Sequence, residues 1–124
     1  MSFLKNIDST DDNFYDLSLV EKMSRGNEKF ALKMVEVFIS QISQSVQKIA
    51  DASQKKDVKK IRQEIHRVKP TLAYYGTHKI EKELLILEKL VIQTFTAEEL
   101  ISTINTLYNI TTQTIAKMKI DFGI

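Results

Sequence analysis

His66 stands in a ladder of cations. Lys55, Lys59, Arg62, His66, Lys69 and Ala73 follow one another at spacings of 4, 3, 4, 3 and 4. At about 100° of rotation per residue, such spacing collects one face of a helix. A free imidazole is mostly neutral near physiological pH and nucleophilic in that form. An ammonium one turn away can pair with the oxygens of an anionic group. The pattern suits an imidazole that is reached by something large and acquires negative charge. The plainer reading is a solvated basic face that includes a histidine, and periodicity alone favours it.

The element that must carry this face has a second stripe. Val58, Ile61, Ile65, Val68, Leu72 and Tyr75 are spaced 3, 4, 3, 4 and 3, as on a core-facing helix. His66 points about 100–160° away from the neighbours in that stripe, toward water. Pro70 interrupts the same segment. It supplies no amide to the His66 carbonyl, crowds that carbonyl and biases Lys69 away from helical geometry, at ~3 kcal/mol in a helix interior. Either the helix kinks beyond His66, or one helix ends near Lys69 and another begins with Pro70 in its first turn. The apolar phase continues through Val68, Leu72 and Tyr75, which favours one kinked, continuous helix.

A chain of 124 residues with 43% hydrophobic residues forms one domain with a sizeable core. Three glycines and one proline leave little room for a β-rich or loop-rich fold. No cysteine is present, which excludes disulfides and zinc–thiolate sites. The longest apolar run is four residues, Leu84 to Leu87, far short of the ~20 a membrane span needs. The polar N-terminus, Met1 to Asn13, lacks a signal peptide's apolar region, so a cytoplasmic protein is expected. Net charge is only +2, yet residues 55–69 hold seven Lys and Arg against Asp57 and Glu64. The positive field is local, and it surrounds His66.

Punctuation divides the chain into helices, with no internal repeat and no low-complexity segment. Asp16 or Ser18 opens a short helix to about Met23, and Ser18-Leu19-Val20-Glu21 has the form of a capping box. Gly26 ends it and Asn27 caps the next, which extends to about Ser53 with Phe30, Met34, Phe38, Ile42, Val46 or Ser45, and Ile49 inward. Asp57 caps the helix that bears His66, and that helix stops near Gly76. Thr77 caps a fourth with Ile80, Leu84, Leu87 and Val91 inward. Thr96-Ala97-Glu98-Glu99 is a capping box for the last, with Leu100, Ile104, Leu107, Thr111, Ile115 and Met118 inward. Short connections make consecutive helices antiparallel neighbours. The expected fold is all-α: an up-down-up-down four-helix bundle with a short N-terminal helix, spanning residues 15–124 behind an N-terminal arm of residues 1–14.

The string His66-x-x-Lys69, with Thr71 and then Gly76 ten positions after the histidine, resembles the signature of histidine-containing phosphotransfer (HPt) domains. The order of helices extends the resemblance to about Tyr15–Ile120. It departs at Pro70, where the family usually has glycine. The resemblance implies that His66 is the phosphoacceptor, that Lys69 stabilises the phosphoryl group and that Gly76 ends the helix. It implies a relay between receiver-domain aspartates, with no cofactor on this chain and Mg²⁺ supplied by the receiver. Glu88, 22 residues after His66, matches a position where the family often has a polar side chain bonded to the imidazole. A carboxylate there is suited to accept the Nδ1 proton and leave Nε2 as the attacking nitrogen. The plainer reading is a boundary glutamate paired with Lys69 or Lys89. The small side chains of Pro70 and Ala73, together with Arg62, mark the face on which a receiver would dock.

Other functions fit less well. The segment around His66 is similar to the histidine box of sensor kinases, but Arg67 stands where an acidic residue is usual. Three glycines cannot build the glycine-rich ATP site of such a kinase. His66, His78 and Glu81 do not share a face, so no metal site is expected. The basic stripe lacks interleaved aromatics, so nucleic acid is not the expected partner. The sequence therefore reads as a monomeric cytoplasmic phosphocarrier. The alternative is a non-catalytic helical adaptor in which His66 is incidental.

Overall fold

A computed structural model describes residues 14–124. Five helices make up the fold: α1 (Ser18–Ser24), α2 (Glu28–Gln54), α3 (Val58–Tyr74), α4 (His78–Val91) and α5 (Ala97–Phe122). No strand occurs among the described residues. Helices α2 to α5 pack each against the next, and α2 also packs against α5, which closes a four-helix bundle. The short α1 lies against α2. Residues 1–13 of the expected N-terminal arm lie outside the described residues. Phe14, its last residue, is buried, with the Lys79 ammonium 4.3 Å from its ring centroid.

Caps fix where the helices begin. Asn27 accepts from the Phe30 amide and Asp57 from the Lys60 amide. Thr96 and Glu99 form the reciprocal capping box expected at the start of α5. Two expected side-chain caps do not form. Ser18 lies inside α1, and its amide and hydroxyl both donate to Asp16, so the expected Ser18 box does not form. A charged acceptor two residues upstream offers the serine a stronger partner. Thr77 stands at the N-cap of α4, but its side chain turns back to α3, where the hydroxyl donates to the Leu72 carbonyl at 3.0 Å. The Thr77 amide goes to the same carbonyl and the Gly76 amide to Ala73, a Schellman closure with Gly76 at φ +64°. Thr77 thus closes α3 while its own carbonyl opens α4 by accepting the Glu81 amide.

The core follows the helical stripes. Phe38, Ile42 and Ile49 of α2, Ile61, Ile65 and Leu72 of α3, Ile80, Leu84 and Leu87 of α4, and Leu107 and Met118 of α5 are almost fully enclosed. Phe30 is a correction: it is exposed, and Ala31 and Val35 take the inward places on the first turns of α2. Steps of four from Phe38 back to Phe30 lag the helix by about 40° each, which carries Phe30 out of the core. Pro70 lies inside α3 without breaking it, so α3 holds both the core stripe and His66 on one element.

Candidate functional site

Side chains on both flanks of α3 fix its rotation. Toward α2, the Arg67 guanidinium donates to Glu64 and, at 3.0 Å, to the Ser45 hydroxyl of α2. Burial works against the Glu64 charge, but Arg67 outweighs it and holds the carboxyl below its ordinary value, with Ser45 and Lys48 assisting. Toward α4, the Lys69 ammonium donates to Glu88 at 2.9 Å. With the apolar stripe inside and a polar tether on each side, the remaining face of α3 points outward. The His66 side chain is 60% exposed on that face, open to a large partner.

Glu88 bridges two of the candidate residues. One carboxylate oxygen, Oε1, takes the Lys69 ammonium; the other, Oε2, lies 3.0 Å from His66 Nε2. The two sequence readings of Glu88, imidazole partner and partner of Lys69, occur together. The nitrogen is a correction, since Nδ1 was expected to face the carboxylate and Nε2 faces it instead. Antiparallel α3 and α4 bring Glu88 level with the turn between His66 and Lys69, and the imidazole extends across to meet it with its distal nitrogen. The hydrogen bond from Lys69 is the main cause that holds the Glu88 carboxyl below its ordinary value. Burial opposes it, and the charges of Lys69 and Arg62 add to the lowering. Glu88 is therefore anionic at neutral pH.

Arg62, Pro70 and Ala73 are all exposed on the same side of α3. Pro70 and Ala73 present no long side chain beside the imidazole. Beyond Glu88, sequence reasoning overlooked what α4 adds to this surface. Leu85 and Ile92 lie one turn to either side of Glu88 and are 44% and 62% exposed. Their signal was present in the sequence as apolar residues spaced off the core stripe Ile80, Leu84, Leu87 and Val91. The outward surface thus carries His66 at its centre, cations along α3 and two exposed aliphatic side chains on α4.

His78 pairs with Glu81 at 3.2 Å on the first turn of α4, apart from the bridge at His66. Among the described residues, no group of three or more His, Cys, Asp and Glu could hold a metal ion. No helix among them is long and apolar enough to cross a membrane. Comparison of the chain with protein-family models, with curated proteins and with solved structures returns no match.

Proposed function

We propose that this chain is a histidine phosphotransfer protein. It relays phosphoryl groups between receiver-domain aspartates of a two-component phosphorelay, as a cytoplasmic monomer. The observation that carries the reading is the placement of His66: an exposed imidazole on the outer face of a packed helix, with a lysine one turn further on. In this reading the imidazole attacks the phosphorus of an aspartyl phosphate. The N–P bond forms as the aspartyl O–P bond breaks, and the electron pair returns to the aspartate. Lys69 balances charge on the phosphoryl oxygens. The receiver contributes the aspartate and a Mg²⁺ ion, and this chain contributes no cofactor. Reversal of the same step onto a second receiver completes the relay.

A second reading has its own observation. Glu88 already satisfies both His66 and Lys69, as in an ordinary surface ion-pair network. On that reading the chain is a helical adaptor that binds a signalling partner without accepting phosphate. Incubation with a phosphorylated receiver domain separates the two. The phosphocarrier reading expects acid-labile, base-stable phosphate on the native chain. It expects none on His66→Ala, with helicity and melting nearly unchanged, and undiminished uptake when His78 is replaced. Receiver binding without label would establish the adaptor, and label on His66→Ala would refute the assignment of His66.

A further inference from the structure

Three groups close on one another in the resting site. Glu88 Oε2 lies 3.0 Å from His66 Nε2 and Oε1 lies 2.9 Å from Lys69 Nζ. The carboxylate side chain is only 16% exposed, so water screens the bridge incompletely. The anionic oxygen beside Nε2 repels an incoming phosphoryl group, and the ammonium suited to a phosphoryl oxygen is already neutralised by Oε1. Nδ1 lies closer to the helix backbone by the covalent geometry of histidine, which leaves Nε2 as the nitrogen a bulky partner can reach.

We infer that Glu88 gates the site: its carboxylate holds His66 and Lys69 in an unreactive bridge, and transfer to Nε2 begins when the bridge opens. The inference rests on the phosphocarrier reading. Once Glu88 swings away, Lys69 is released toward the phosphoryl oxygens. With its proton on Nδ1, the imidazole presents the Nε2 lone pair, which forms the N–P bond as the donor's bond to phosphorus breaks. The leaving group keeps that bond's electron pair. With the phosphoryl group in place, the nearby carboxylate is a like charge that favours onward transfer. Glu88 is thus a positioning residue whose removal speeds uptake, whereas a catalytic assistant's removal would slow it.

Phosphoramidate tests the gate, because this small donor needs no docking surface and leaves as ammonia. The full chain and its Glu88→Ala and Glu88→Gln variants are compared for phosphate on His66. Both variants are expected to label about three- to fivefold faster than the native chain, the scale of one partly exposed ion pair. The gain should shrink in a Lys69→Ala background, where half the bridge is already gone. Equal or slower labelling of both variants would overturn the gate. If no form of the chain takes label from phosphoramidate or from a receiver, the phosphocarrier reading fails and the gate falls with it. A receiver that labels the native chain beside variants no faster with phosphoramidate refutes the gate alone.

Discussion

Gly76 and Asp16 meet backbone to backbone. A Cβ built on Gly76 would lie 2.5 Å from the Asp16 carbonyl oxygen, and the Asp16 amide donates to the Tyr75 carbonyl at 3.2 Å. The turn that ends α3 is therefore also the seat of the segment leading into α1. Gly76→Ala should cost about 2–4 kcal/mol, from the positive φ and from overpacking against main chain that cannot rotate aside. Gly26 is the control. Its φ of +81° is equally unusual for an L residue, but a Cβ there meets nothing within 4 Å, so Gly26→Ala should cost only ~1–2 kcal/mol. Denaturant titration of the two variants checks the difference, and equal losses would show that contact with Asp16 does not matter.

Removal of Lys69 tests the cation beside the histidine. Lys69→Ala should retain the proposed nucleophile and lose the ammonium proposed to balance phosphoryl charge. Receiver-dependent transfer should slow by about 2 kcal/mol, or roughly 30-fold, the low end for a preorganised charge contact at a partly exposed site. Single-turnover transfer measurements decide it, and native rates in the variant would reduce Lys69 to a surface ion-pair partner of Glu88.

Much of this arrangement was legible in the sequence. Ile61, Ile65, Val68, Leu72 and Tyr75 of α3 are buried where their spacing put them, because one helix packed in a bundle leaves little freedom once its apolar stripe is defined. His66 consequently faces water. Local competition was harder to read. Asp16 captured Ser18, and the Leu72 carbonyl captured Thr77, each a choice between nearby acceptors that residue type alone does not resolve. The tether of Arg67 to Ser45 across α2, and the choice of Nε2 over Nδ1 at Glu88, depend on how neighbouring helices are spaced. No single-helix pattern encodes that spacing.

Acid should expose the role of Glu64. Its carboxyl is buried, and Arg67 keeps it below its ordinary value against the opposing effect of burial. A folded-state value below the unfolded one adds stability that is present above the ordinary carboxylate range. That stability is lost as pH falls through the folded-state value. Glu64→Gln should cost about 1 kcal/mol near neutral pH, since Gln keeps an acceptor but lacks the charge and Arg67 remains largely hydrated. The difference between native chain and variant should shrink as pH falls through the folded-state value of Glu64 and vanish below it. Urea titrations across that window measure it. A difference that stays constant down to acid would mean that Glu64 acts by packing rather than by charge.

The docking surface proposed around His66 can be mapped by bulk and by charge. Ala73 is exposed and lies about 20° around α3 from His66, off the core stripe, so a large side chain there is tolerated by the fold. Ala73→Trp should block a receiver sterically and weaken binding at least about tenfold, or ~1.4 kcal/mol, with melting unchanged. Leu85→Asp and Ile92→Asp should weaken binding in the same way, because the exposed aliphatic pair on α4 extends the surface past Glu88 and a carboxylate there repels an acidic phosphorylation pocket. Arg62→Ala should act differently. It removes a rim charge that attracts the partner from a distance, so it should slow association at low salt and lose its effect as ionic strength rises. Titration and stopped-flow association with a receiver domain distinguish the two behaviours. Normal binding by Ala73→Trp would place the interface elsewhere on the bundle, and would remove the reason for reading the exposed imidazole as a site of transfer.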